Sequence, residues 1–72
     1  MIYDFHNWRH ADAINEVHRV VSEVRLSNSE RTVEFITGWG SIRNDLIEVL
    51  KNYGLEPHSK FGNSGIIVVT IY

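Results

Sequence analysis

The chain has 72 residues, no cysteine and a formal net charge of −2 with its four histidines neutral. Those values exclude a disulfide scaffold and a thiolate zinc site, and they argue against a strongly basic duplex-DNA binder. A chain this short holds one core, with roughly 3–5 kcal/mol of net stability, so one domain over residues 1–72 is expected.

Asp4, His6, Asn7 and Arg9 break any apolar run near the start, so no signal peptide is expected. The longest apolar stretch, Ile66 to Val69, has strand length and falls far short of a membrane span. The sequence thus reads as that of a cytoplasmic protein.

In chain order, Ile2, Tyr3 and Phe5, with Asp4 and His6 between them, predict a short first strand. From about His10 to Arg25 the apolar residues Ala13, Ile14, Val17, Val20, Val21 and Val24 recur at helical spacing and form one stripe. The polar cluster Ser27 to Glu30 ends that helix. Thr32 to Thr37 is a β-rich run with Val33 and Phe35 on one face.

Gly38-Trp39-Gly40 breaks the run, and Ser41 is placed to cap a second helix. The apolar positions of that helix are Ile42, Leu46, Val49, Leu50 and Tyr53. Gly54 suits a left-handed C-terminal cap, with Pro57 soon after. His58 to Phe61 and Ile66 to Tyr72 read as strands joined by a hairpin turn at Gly62 to Gly65. Ile66 to Ile71, apolar at nearly every position, belongs inside the sheet.

The predicted fold class is therefore α/β. It is a two-layer sandwich in the order β-α-β-α-β-β, with a mixed four-stranded sheet and two helices.

Parallel strands deliver their carboxyl ends to one edge of a sheet, where ligands of open α/β folds bind. Asp4 and His6 should meet the Gly38–Ser41 turn there. Two residues apart on a strand, Asp4 and His6 would share a face. The carboxylate could then orient the imidazole for proton transfer; alternatively, Asp4 caps a backbone turn and His6 packs at the strand end.

Glycines before a helix start suit a phosphate. Arg43, a cation in the first helical turn, opposes the helix dipole unless an anion binds or a carboxylate such as Asp45 or Glu48 pairs with it. Trp39, between glycines, could stack on an unpaired base, whereas Trp8 reads as packing. Arg9, His10 and Lys60, with Asn63 in the hairpin, would add to a positive edge. Asp4 and His6 alone do not specify a metal, so neither metal nor cofactor is expected.

Tyr3-Asp4-Phe5-His6, Ile36-Thr37-Gly38-Trp39-Gly40 and Asn63-Ser64-Gly65-Ile66 together resemble the Smr (small MutS-related) domain, in order and spacing over nearly the whole chain. Asn7 stands where that family has glycine, Trp39 where it often has a basic residue, and the loop after Gly40 is shorter. The resemblance implies a module that binds DNA or RNA, with phosphodiester cleavage by Asp4 and His6; Trp39 in place of a cation favours RNA, and the lack of an acidic cluster points to cleavage without a metal. Arg9, Thr37, Gly38, Trp39, Gly40, Ser41, Arg43 and Asn63 would then contact the nucleic acid. The shortened loop and the negative charge favour the alternative, a non-catalytic adaptor docking on RNA, a ribosome or a protein partner.

Overall fold

The computed structural model describes residues 1–72. Its elements run β1 (Ile2–Asp4), α1 (His10–Leu26), β2 (Arg31–Ile36), α2 (Ser41–Asn52), β3 (His58–Lys60) and β4 (Asn63–Ile71). The four strands form one mixed sheet in the order β1-β2-β4-β3. β1 lies parallel to β2, with Tyr3 opposite Phe35, and β4 runs antiparallel to both β2 and β3. This is the predicted β-α-β-α-β-β sandwich, with the apolar C-terminal strand inside the sheet.

Strand alternation decides which face the helices cover. Val33 and Phe35 of β2, with Ile67, Val69 and Ile71 of β4, are buried on one face. Against them α1 packs Ala13, Val17, Val20, Val21 and Val24, and α2 packs Leu46 and Leu50. Those positions follow the helical repeat, so each helix buries one stripe and leaves its polar side to water. The opposite sheet face carries Ile2, Glu34, Ile36, Val68 and Thr70 and has no helix over it.

Charges at the ends of α1 suit its dipole, with Asp12 in the first turn and Arg25 in the last. α2 ends in a Schellman motif. Gly54 takes φ of 82°, its N–H donates to the Lys51 carbonyl, and the Leu55 N–H donates to that of Leu50. Leu55 is buried as the apolar partner of that cap.

Three local expectations need correction. β1 stops at Asp4, because the chain turns at once: the Trp8 N–H donates to the Phe5 carbonyl, and Asn7 takes a left-handed φ of 63°. His6 therefore does not share a strand face with Asp4. The hairpin turn is Phe61-Gly62, with Gly62 at φ of 82° and Asn63 already paired to Lys60. The cap of α2 is Gly40, with Ser41 the first helical residue and no side chain capping the end.

No helix is long and apolar enough to cross a membrane.

Candidate nucleic-acid interface

β1, β2 and β3 point the same way, so the loops that follow them share one edge of the sheet. These are the segments 5–9, 37–40 and 61–62, and the amino ends of α1 and α2 rise from the first two. The expected convergence of the Asp4–His6 segment with the Gly-Trp-Gly turn is thus met: the Phe5 N–H donates to the Ile36 carbonyl at 2.9 Å.

The Gly-Trp-Gly corner is stitched to β4. The Gly65 carbonyl accepts the N–H groups of Thr37 and Gly38, both at 3.0 Å, and lies 3.3 Å from the Thr37 hydroxyl. Gly38 and Gly65 approach so closely that a β-carbon on Gly65 would sit 3.4 Å from the Gly38 α-carbon. Gly65 is crowded by this approach, whereas Gly38 has open space where a β-carbon would sit and needs glycine for its left-handed φ of 67°. The bond to the Gly65 carbonyl also occupies the Gly38 N–H, which no longer faces outward for a phosphate.

Asp4 and His6 adopt the turn-capping arrangement. Asp4 Oδ1 accepts the backbone N–H of His6 at 2.8 Å, and no bond joins the carboxylate to the imidazole. Both side chains are exposed. A carboxylate held by the backbone in this way orients a turn.

Arg43 is also built into the fold. Its Nε donates to the Ser64 carbonyl and its Nη2 to the Ser59 hydroxyl, each at 2.7 Å. Neither Asp45 nor Glu48 is its partner. The guanidinium ties the β3–β4 hairpin to α2, which explains a cation in that helical turn without a bound anion. Asn63 is likewise used locally, its Oδ1 accepting the Gly65 N–H at 3.0 Å. Lys60 pairs with Glu34 at 2.8 Å across the open sheet face. Among the expected cations of this edge, Arg9 alone has neither a side-chain hydrogen bond nor an ion pair.

What the edge presents outward is aromatic. Trp39 is 79% exposed, Trp8 is 43% exposed and Phe61 is fully exposed. Each comes from a different one of the three loops. Trp8 lies against Phe5, their ring centroids 5.0 Å apart, so it is half packing residue and half surface. Phe61 was not among the expected site residues. An apolar aromatic immediately before the glycine of a tight hairpin is the signal that could have found it. Tyr72, at the opposite edge, uses its hydroxyl on the Gly54 carbonyl.

A second arrangement links the two helix starts. His10 opens α1, and its Nε2 lies 2.6 Å from Asp45 Oδ2 on α2. Its Nδ1 lies 3.5 Å from Ser41 Oγ. Asp45 was read from sequence only as a partner for Arg43. No three histidine or carboxylate side chains come together as a metal-holding group.

No family model matches the chain, and no curated protein or solved structure is significantly similar to it.

Proposed function

We propose that this chain is a small Smr-like module that binds single-stranded nucleic acid, RNA in preference to DNA, at the carboxyl edge of its sheet. The observation that carries the reading is the exposure of Trp39, Phe61 and Trp8 on three neighbouring loops. Each base stacked on an aromatic ring contributes about 1–3 kcal/mol, and unpaired bases are what sequence-tolerant RNA binders hold this way. Arg9 and the first-turn N–H groups of α2 would meet the backbone between the bases.

Stacking, more than charge, sets the affinity in this reading. The net charge is −2, and Lys60 and Arg43 are occupied within the protein. Binding should therefore depend weakly on salt, because few counterions are released.

The adaptor form of the module, binding without cleavage at Asp4 and His6, is favoured by one specific contact. The Asp4 carboxylate is bound to the His6 backbone and does not polarise its ring.

A fluorescence titration of single-stranded RNA, single-stranded DNA and duplex tests the proposal. Single strands should quench Trp39, and W39A or F61A should each weaken binding about 5-fold or more. H6A should leave affinity unchanged. Failure of every nucleic acid to bind the wild type would leave the edge to a protein partner. Equal binding by the aromatic variants would remove stacking as the mechanism.

A further inference from the structure

We propose that Ser41, His10 and Asp45 form an acyl-transfer centre, with Ser41 as nucleophile, for small neutral or cationic carboxylic esters. This site adjoins the aromatic edge, at the amino ends of α1 and α2, and its acyl transfer is read out without any nucleic acid, so its failure and that of the binding proposal are distinguishable.

Order along the relay is the first support. The Asp45 carboxylate lies 2.6 Å from His10 Nε2 and accepts only a proton-bearing nitrogen. In the neutral ring that places the free lone pair on Nδ1, the atom 3.5 Å from Ser41 Oγ. A serine, an imidazole acceptor facing it and a carboxylate fixing the tautomer are the parts of an activated hydroxyl. The Ser–His distance is at the long end, as is common before substrate binds.

Backbone placement is the second. Ser41 follows Gly40 at the start of α2, after a strand and a tight turn, and its hydroxyl caps nothing. Ser41 and Asp45 are four apart on α2 and share a face, and His10 reaches both from the neighbouring helix. The N–H groups of Ser41, Ile42 and Arg43 have no acceptor in the protein. They are the donors available to a carbonyl oxygen becoming an oxyanion.

An open groove of about 430 Å³ runs between α1 and α2 with His10 and Asp45 in its wall, and Ser41 reaches it only through its contact with His10. Its other lining includes Ala11, Ile14, Val49, Asn15, Asn52 and Glu48. That wall takes a short apolar group with hydrogen-bonding capacity. Asp45 and Glu48 repel a substrate that carries its own carboxylate.

In the first step His10 Nδ1 takes the Ser41 hydroxyl proton while Oγ adds to the ester carbonyl carbon. The bond to the alcohol oxygen then breaks, and His10 returns the proton to that oxygen. In the second step His10 removes a proton from water, and the hydroxide oxygen adds to the acyl carbon. The Ser41 Oγ–acyl bond breaks and Oγ regains the proton. The sum is ester plus water giving acid plus alcohol.

Labelling with a neutral fluorophosphonate, alongside hydrolysis of p-nitrophenyl acetate, decides the proposal on the full chain. The expected result is one phosphonyl group per folded chain, located on Ser41 by peptide mass spectrometry and absent from S41A. H10Q can still bond Asp45 but is no base, and should slow labelling by about 100-fold or more. Asp45 is a positioning residue, so D45N should lower kcat with KM held, and D45E should restore part of the loss. Circular dichroism establishes that each variant is folded. Absence of label from folded wild type, label persisting in S41A, or an undiminished rate in H10Q each overturns the assignment.

Discussion

The carboxylate of Asp4 accepts the backbone N–H of His6 at 2.8 Å, so the acid of the expected acid–base pair is a turn-forming group. Replacing it removes one exposed charge-assisted bond at the start of the Phe5–Trp8 turn. D4A should cost about 1 kcal/mol, and D4N, which keeps the acceptor, less than half of that. Urea unfolding of both variants measures this. Equal loss in the two would mean that the charge, and not the turn bond, is what matters.

Arg43 anchors the β3–β4 hairpin through Ser64 and Ser59. Truncation to methionine keeps the apolar stem but loses both donors, at an expected cost of roughly 2–3 kcal/mol. Hydrogen exchange of the Phe61–Gly65 segment should accelerate in R43M with little change in α1. Unchanged exchange in the hairpin would show that the guanidinium does not hold it.

Gly65 lies where β4 passes the Gly38 corner. A β-carbon there would be 3.3 Å from Asn63 Oδ1 and 3.4 Å from the Gly38 α-carbon. One neighbour is backbone, and the other already accepts the Gly65 N–H, so neither yields freely. G65A should destabilise by about 1–3 kcal/mol, read as a lower urea midpoint with an unchanged slope. A midpoint equal to that of the wild type would mean that the two backbones separate at no cost.

Glu16 carries the pH dependence that the structure makes explicit. The Arg19 guanidinium, bonded through Nε at 2.8 Å, holds the Glu16 carboxyl below its ordinary value, against a smaller opposing effect of burial. A folded-state value below the unfolded one adds stability above the unfolded pKa, and that stability is lost as pH falls through the folded pKa. Melting temperatures of wild type and E16Q should therefore differ near neutral pH and converge in acid. Because the pair is on the surface, the gap should be small and shrink with salt. A gap that widens in acid would have the wrong sign for this cause.

The helices, the strand order and the core were legible because they follow from apolar spacing. Val17, Val21 and Val24 recur at helical intervals, and nearly every residue of Ile66 to Ile71 is apolar, the mark of an interior strand. Gly54 gave the end of α2 through its left-handed φ. Asp4 was open to two readings, since a turn-capping aspartate and a strand-end aspartate have the same neighbours in sequence. The His10–Asp45 pair was not legible. It joins two helices whose mutual rotation is set by how Ala13, Val17, Leu46 and Leu50 pack, which no local spacing encodes. Arg43 was read against the helix dipole alone, and its partners arrive from a hairpin sixteen and twenty-one residues away.

The outer strands β1 and β3 are three residues each. A visiting polypeptide that extends a sheet needs a run of unsatisfied main-chain donors and acceptors along its margin. Margins this short present about two such groups on either side, too few to fix a register. Short outer strands thus work against incorporation into a larger sheet, whether as a recognition mode or as a route to fibres.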